Sequence, residues 1–321
     1  MIKIYKSHND ILEKKLFSIS ETLEVEKLTE KNTWIHLSNP TEEEIKVVTN
    51  SFDIPEEHIR AALDEEEKAR LEIDDDIILV IIDVPIHDEN NRCSFTTVPL
   101  GIILLKDHIL TVSTVKLSLI EEFVQGRIKS FFTFKKTRFI LQMLFRNSTY
   151  FLLYLKQIGR ISDNIERQLK NNLRNQELML LLELEKSLVY FTTSLKSNEA
   201  VLERMMRTEI VKRYPDDLEL LEDVIIETKQ AIEMANIYSS ILGSTRDAFS
   251  TVMSNNLNIV MKKLTSITIV FAIPTVVSGL WGMNVGGVPF ASDTYGFLWV
   301  LLVAVACGVI ITWILFKKEL F

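Results

Sequence analysis

The sequence predicts an α/β domain, then long helices, and then two transmembrane spans, the first of which continues the last long helix. Strand-like and helix-like segments alternate in residues 1–130, whereas strand patterns are absent from residue 137 onward. Near the C-terminus, residues 264–281 and 297–316 form uncharged segments of 18 and 20 residues. Because a helix needs about 20 apolar residues to cross the hydrocarbon core, the chain is predicted to be an integral membrane protein.

The charge and cysteine distribution limits the class of protein. The net charge of the 321-residue chain is −8, and all of it lies in residues 1–263. An acidic surface disfavours nucleic acid as a partner, since nucleic acid binds basic faces. Cys93 and Cys307 lie in a predicted strand region and a predicted span, so no disulfide is expected. The N-terminal segment lacks the apolar core of a signal peptide, and the simplest location is a bacterial cytoplasm and its membrane.

Residues 1–130 are predicted to form a cytoplasmic α/β domain. Segments rich in Ile and Val between turn residues indicate strands at 2–5, 33–37, 77–84, 98–105 and 109–113. Helices are predicted at 41–50, 55–67 and 117–130. Thr41 and Glu44 have the spacing of a capping box, and Pro55 suits the first turn of a helix.

Residues 131–213 are predicted to form an antiparallel helical hairpin. Its helices, 138–170 and 176–213, are leucine-rich and are separated by a polar break. A new helix is predicted to begin at Pro215 and to continue through the first span to residue 280, a rod of about 100 Å. Its cytoplasmic part, residues 214–263, is predicted to be a stalk. Such a stalk is stable only if neighbouring helices cover its apolar residues, which implies an oligomer.

The basic residues predict the orientation of the spans. Lys262 and Lys263 precede the first span, and Lys317 and Lys318 follow the second, in the tail 317–321. The connecting loop, residues 282–296, contains no Lys or Arg. By the positive-inside rule, both termini are expected in the cytoplasm and the loop outside.

One face of the predicted rod, from the stalk into the first span, carries side chains that are small or polar except for Met261. In steps of three and four residues, this face comprises Asn258, Met261, Thr265, Thr268, Ala272, Thr275 and Gly279. In lipid, such side chains turn inward, which predicts a pore lining. A tight helix–helix seam without a pore is the alternative. Met261 and Leu264, at the cytoplasmic end, are large enough to form an apolar constriction.

Directly after this face stand Gly282, Met283 and Asn284. They lie at the outer end of the penultimate span, before a lysine-free loop and a last span with a basic tail. This arrangement resembles the GMN signature of the CorA family of magnesium transporters, with Trp281 where the family usually has Tyr. The resemblance covers the whole chain. It implies a funnel-shaped homopentameric channel in the cell membrane, lined by copies of the first span, that transports Mg²⁺.

The resemblance also implies roles for individual residues. Asn284 would form a ring at the external mouth, with Gly282 and Met283 shaping the turn that presents it. Thr275 and Asn258 would form polar rings inside the pore, and Met261 and Leu264 the hydrophobic gate. Asp88 and Asp223 fall where the family has a regulatory Mg²⁺ site between subunits. The alternative for these two residues is that they are ordinary solvated aspartates.

The expected function is membrane-potential-driven uptake of Mg²⁺, with Co²⁺ and Ni²⁺ as further candidates, gated by cytoplasmic Mg²⁺ and without an organic cofactor. Ala272 replaces a larger residue of many members, and the loop lacks their glutamate, with Asp293 as its one acid; both features bear on the choice of cation. A zinc transporter of the same fold is one alternative, disfavoured because none of the five histidines lies near the pore. A membrane-anchored scaffold or sensor is another. No enzyme is predicted, because no nucleophile elbow or phosphate-binding loop occurs.

Overall fold

A computed structural model describes residues 2–8, 11–17, 31–74, 77–88, 91, 93–129, 131–171, 175–208, 214–283, 285–287, 289 and 294–318. The chain divides into two compact units, Met1–Arg246 and Asp247–Phe321. The described residues form seven strands and seven helices.

The strands form a single mixed sheet in the first unit. They are β1 (Ile2–His8), β2 (Ile11–Phe17), β3 (Thr33–Ser38), β4 (Arg70–Asp74), β5 (Ile77–His87), β6 (Phe95–Leu104) and β7 (His108–Ser113). Their order across the sheet is β2-β1-β3-β7-β6-β5-β4. The pairing of β3 with β7 is parallel, and each of the other pairings is antiparallel.

Helices of the first unit cover both faces of the sheet. They are α1 (Glu42–Phe52), α2 (Glu56–Ala61), α3 (Ser118–Val124), α4 (Lys136–Asn171), α5 (Asn175–Arg207), α6 (Pro215–Trp281) and α7 (Gly296–Lys317). Residues 215–246 of α6 belong to the first unit, and the rest of α6 and all of α7 belong to the second.

Side chains alternate between the two faces of the central strands, and both faces are apolar, as expected for a sheet buried on both sides. Leu79 and Ile81 of β5 pack in the core that contains Ile45 of α1 and Ile59 of α2. Val80 of β5 packs in the opposite core, with side chains of α3, α4, α5 and the first turns of α6. The first unit is therefore a three-layer α/β domain, as the sequence predicts.

Most predicted elements are present, with differences at their ends. The capping box at Thr41 and Glu44 is confirmed by reciprocal hydrogen bonds of 2.9 and 3.3 Å. The helix predicted at 55–67 ends at Ala61 and is followed by a turn in which Asp64 accepts a hydrogen bond from the backbone N–H of Glu66. The helix predicted at 117–130 ends at Val124, before Gly126 with its left-handed φ of 67°. Strands β2 and β4 were not predicted.

Two asparagines attach the long helices to strand β5. Asn147 of α4 and Asn198 of α5 each donate a side-chain hydrogen bond of 2.8 Å to the backbone carbonyl of Asp83. The side-chain oxygen of Asn198 also accepts from the backbone N–H of Asp83 at 2.9 Å. Burial raises the pKa of the Asp83 carboxyl, which Ser194 partly offsets by hydrogen bonding. The strand is thus fixed to both helices of the hairpin by side-chain contacts to its backbone.

A buried histidine makes the first unit sensitive to acid. His36 on β3 is 3% exposed, and its Nδ1 lies 2.9 Å from the hydroxyl of Thr111. Burial, and next the positive charge of Lys3, lower its pKa from 6.5 to about 4. Its folded-state pKa is therefore below its unfolded value, so the unfolded chain binds a proton between these two values while the folded chain does not.

We expect the stability contributed by neutral His36 to be complete above pH 6.5 and to be lost as the pH falls towards 4. At about 1.4 kcal/mol per pKa unit, the loss is about 3 kcal/mol. Thermal unfolding of the full-length protein between pH 7 and pH 4 measures this loss. His36→Gln retains a hydrogen-bonding side chain but cannot titrate, so its melting temperature should fall less steeply with acid. Parallel pH profiles for the two proteins would contradict the assignment.

Candidate ion pathway and regulatory aspartates

Within the described parts of the chain, two helices are long and apolar enough to cross a membrane, α6 and α7. Their most apolar windows have mean hydropathies of 1.8 and 2.7, and each window is 11% buried within the protomer. Helices that are this apolar and this exposed would be unstable in water, whereas lipid solvates them. The two predicted spans are therefore present as helices.

Helix α7 packs on one side of α6 in the second unit. Ser266 of α6 is 2% exposed, and Val270, Ile273 and Val277 on the same side are half-buried. A Cβ atom added at Gly308 of α7 would lie 3.7 Å from Cγ of Pro274, an ordinary van der Waals contact. Pro274, which interrupts the hydrogen bonding of α6, is thus next to the second span.

The residues predicted to line a pore share the opposite side of α6, which we call the polar face. All of them are exposed in the protomer: Asn258, Met261, Leu264, Thr265, Thr268, Ala272, Thr275 and Gly279. On a helix that turns about 100° per residue, they occupy a sector about 120° wide, opposite to Ser266. The polar face is therefore not covered by α7.

The threonine hydroxyls of the polar face bond to the helix backbone. The hydroxyl of Thr268 donates to the carbonyl of Leu264 at 2.8 Å, and that of Thr275 donates to the carbonyl of Phe271 at 2.9 Å. Since each hydroxyl has one donor and two acceptor lone pairs, these bonds use the hydrogen and leave oxygen lone pairs that can accept from a ligand.

The end of α6 presents part of the predicted external motif. The backbone N–H of Gly282 donates to Ser278 at 2.9 Å, and Met283 is 54% exposed. Asn284 and Asp293 lie outside the described residues. The indole N–H of Trp281 donates to the carbonyl of Pro289 at 3.0 Å, so the last residue of α6 is bonded to the loop that follows.

The two predicted regulatory aspartates lie on different elements of the first unit, and both are exposed. Asp88 directly follows β5, and its backbone bonds to Asn91 and Ser94 in a turn. Asp223 is on α6, two turns from its start. Among the described residues of one protomer, no group of three or more His, Cys, Asp or Glu side chains is arranged to hold a metal ion.

The structure also shows contacts, which the sequence does not predict, at the start of β6 and in the segment between β5 and β6. We call the described residues of that segment, Asp88, Asn91, Cys93 and Ser94, the Asp88 loop. Asn91 donates to the Glu183 carboxylate on α5 at 3.1 Å, and the backbone N–H of Phe95 donates to the Ser187 hydroxyl at 3.0 Å. Glu183 and Ser187 are spaced by one helical turn, but many polar residues of α5 share that spacing. The sequence alone gives no signal that selects this pair.

Comparisons with known proteins agree on one family. The family described as CorA-like Mg²⁺ transporter protein matches residues 29–318. The cobalt/magnesium transport protein CorA of Methanocaldococcus jannaschii is 30% identical over 299 residues, which cover 89% of this chain and 90% of that protein. CorA of Thermotoga maritima, with the same description, is 22% identical over 89% of this chain and 82% of its own length.

A solved structure shares the fold over nearly the whole chain. The complete structure of the CorA magnesium transporter from Methanocaldococcus jannaschii superimposes with a TM-score of 0.81 and 25% sequence identity. The match covers 98% of this chain and 96% of that one. The α/β domain, the long helices and the two spans therefore occur together in a protein of known structure.

Proposed function

Because this chain belongs to the CorA-like Mg²⁺ transporter family, we propose that it is a channel-type transporter that carries Mg²⁺ into the cell, with Co²⁺ and Ni²⁺ as further substrates. The observation that supports this function most directly is the polar face of α6. In an isolated protomer, Thr268 and Thr275 would face lipid, where polar groups are unfavourable. Around a central pore, the same face contacts water and ions.

The chemistry of the polar face suits a hydrated cation. Mg²⁺ loses its water reluctantly, and its bound waters direct their hydrogens outward. Threonine oxygens whose own hydrogens are bonded to the helix backbone accept from those waters, as does the amide carbonyl of Asn258. Conduction requires that the channel bind the ion weakly enough to release it. Neutral oxygens meet this requirement, since they attract the cation less strongly than carboxylates do.

Asn284 provides the external ring of the proposed channel. In the sequence, Asn284 directly follows Met283 and comes three residues after Trp281, the last residue of α6. A ring of amide carbonyls hydrogen-bonds the waters of an arriving Mg²⁺ without stripping them. Met261 and Leu264, which are 52% and 56% exposed in the protomer, form the hydrophobic gate at the cytoplasmic end.

An exposed apolar stripe on α6 supports self-association of the chain, which we propose to form a homopentamer. In the first unit, Leu221, Val224, Ala231, Ala235 and Leu242 are at most 1% exposed, on the side of α6 that packs against its own protomer. Ile226, Ile237 and Ile241 are 63, 59 and 45% exposed and occupy a sector about 60° wide on the opposite side. We call these three residues the outer stripe. Copies of the chain that pack side by side bury it.

The electrical driving force and the orientation follow from charge. Lys262, Lys263, Lys317 and Lys318 flank the two spans on the side that the positive-inside rule assigns to the cytoplasm, with both termini there. A divalent cation that moves inward across about 100 mV gains about 4.6 kcal/mol. This gain drives uptake through the cell membrane without ATP.

Regulation by cytoplasmic Mg²⁺ is assigned to Asp88 and Asp223. When no cation is bound, the acidic first units of neighbouring protomers repel one another. Mg²⁺ shared between Asp88 of one protomer and Asp223 of the next holds the stalks in a closed ring. Loss of this Mg²⁺ releases them, because the ion binds the closed state more tightly than the open one.

The proposed function is tested by ion flux into proteoliposomes. Wild-type protein should take up Mg²⁺ faster when a potassium diffusion potential makes the interior negative. Zn²⁺ uptake without Mg²⁺ uptake would favour a zinc transporter. No flux of either ion from correctly assembled protein would favour a membrane-anchored scaffold.

Charge removal at the regulatory aspartates should weaken closure. In the variant Asp88→Asn/Asp223→Asn, protection of the stalk from trypsin should depend less on Mg²⁺ than in the wild type, because the proposed ligands are gone. Digestion across a Mg²⁺ titration measures this. Asp74→Asn/Asp216→Asn removes the same charge from two other exposed aspartates and should retain wild-type protection. Identical curves for all three proteins would exclude Asp88 and Asp223 from the sensor.

A further inference from the structure

One turn of α5, residues 183–187, is attached to the Asp88 loop. Glu183 accepts from the amide of Asn91 at 3.1 Å. The Ser187 hydroxyl accepts from the backbone N–H of Phe95 at 3.0 Å and lies 3.3 Å from the carbonyl of Cys93, to which it can donate. Because Glu183 and Ser187 are four residues apart, they lie on the same side of the helix. The side chain of Asn91, the backbone of Cys93 and the first residue of β6 are therefore all bonded to this turn of α5.

On its opposite side, the same turn of α5 forms an ion pair with the stalk helix α6. Both carboxylate oxygens of Glu185 lie within hydrogen-bond distance of Nη1 of Arg246 on α6, at 2.9 and 2.7 Å. Glu185 is two residues from Glu183 and from Ser187, which places it about 200° around α5 from each. A charged pair whose side chains are 26% and 40% exposed is partly shielded from water, which strengthens it relative to a fully exposed pair.

The surrounding helices limit how far this turn can move independently. Asn198, three turns further along α5, is bonded to β5, the strand that leads into the Asp88 loop. Ser148 of α4 bonds to Thr228 of α6 at 2.8 Å in the buried interior. A Cβ atom added at Gly159 of α4 would come within 2.7 Å of the Tyr238 ring on α6, so these helices approach closely. A displacement of the loop therefore moves packed elements together.

We propose that residues 183–187 of α5 couple the Asp88 loop to the stalk helix at Arg246, so that the state of the loop biases the position of α6. The inference rests on the proposed regulation by Mg²⁺ at Asp88, and it names the side chains that transmit it. Through the bonds of Glu183 and Ser187, a shift of the loop displaces this turn of α5. Through the ion pair of Glu185, the displaced turn moves Arg246 on α6. We propose that Glu183, Glu185 and Ser187 act as positioning residues and not as Mg²⁺ ligands.

Coupling between two sites requires that changes at both act through one element, and a double-mutant cycle measures this. Asn91 and Arg246 bond to different residues of α5, Glu183 and Glu185. Independent changes at separate sites that share no partner have additive effects. Non-additive effects of Asn91→Ala and Arg246→Gln therefore report transmission through α5.

The experiment measures Mg²⁺ uptake by full-length protein in proteoliposomes as a function of Mg²⁺ on the cytoplasmic side. Asn91→Ala and Arg246→Gln should each raise the Mg²⁺ concentration that half-closes the channel about threefold, as expected for the loss of one partly exposed polar contact. The double variant should shift it no further than the larger single change. Uptake at low Mg²⁺ should equal that of the wild type, which a general loss of structure would not allow.

Two controls make the result specific. Arg246→Lys keeps the positive charge and should restore most of the wild-type response. Glu199→Gln breaks another α5–α6 ion pair, with Lys229 at 3.9 Å, that lies away from the loop, and it should leave the midpoint unchanged. Additive shifts, or unchanged midpoints in both single variants, would overturn the coupling. If the wild type itself did not respond to Mg²⁺, the proposed gating would fail and the coupling with it, so the two failures are distinguishable.

Discussion

Replacing Asn284 by alanine is expected to reduce Mg²⁺ uptake about a hundredfold or more while the protein still assembles. The amide is proposed to hydrogen-bond the waters of the arriving ion, and such bonds to charged groups are worth about 1.5–3 kcal/mol each. Loss of about 3 kcal/mol at the external ring corresponds to a factor above one hundred. Uptake into proteoliposomes, followed with a Mg²⁺-sensitive dye inside, measures the effect.

Asn256→Ala is the matched control for this variant. Asn256 is an exposed amide on α6 outside the polar face, so its removal should leave uptake unchanged. Size-exclusion chromatography in detergent checks that both variants assemble as the wild type does. Wild-type uptake by assembled Asn284→Ala protein would show that the external ring is formed by other groups.

Polar replacements at the proposed gate should produce the opposite effect. Met261→Ser or Leu264→Ser places a hydroxyl at the ring that we propose to exclude water through large apolar side chains. We expect the constriction to become hydrated, so that Mg²⁺ uptake persists several-fold above the wild-type level when cytoplasmic Mg²⁺ is high. The measurement is uptake by liposomes preloaded with Mg²⁺.

Ile259→Ser provides the comparison for the gate variants. Ile259 lies within two residues of Met261 and is 41% exposed, but it is on the side of α6 opposite to the polar face. Its replacement should leave closure by Mg²⁺ intact. If both gate variants also closed normally, the constriction would have to lie elsewhere in the chain.

The sequence predicts the membrane part of this fold better than the edges of its sheet. Two uncharged segments and one uninterrupted helical pattern suffice for α6 and α7, because lipid imposes length and apolarity on a span. Strand β4 has the sequence Arg-Leu-Glu-Ile-Asp, with charges at alternate positions, and it pairs on one side only, with β5. Edge strands of this kind lack the Ile and Val runs that identify the central strands.

The polar face was predictable because it depends on one helix. The contacts around the Asp88 loop were not predictable, since they join distant parts of the chain. A period of three and four residues places Thr268 and Thr275 on one side of α6 whatever surrounds it. The bond between Asn91 and Glu183 joins residues that are 92 positions apart. Which exposed carboxylate on α5 meets the loop depends on how the helix packs on the sheet, and local pattern carries no information on that packing.

The outer stripe of α6 bears on how the protein is made and handled. A newly synthesised protomer carries Ile226, Ile237 and Ile241 exposed to solvent, where apolar surface promotes non-specific association. Insertion into a bilayer confines protomers to a plane in one orientation, which raises their effective concentration for the correct contact. Extraction into dilute detergent removes that confinement. For the proposed oligomer, we therefore expect dilution in detergent to favour separated protomers with an exposed outer stripe.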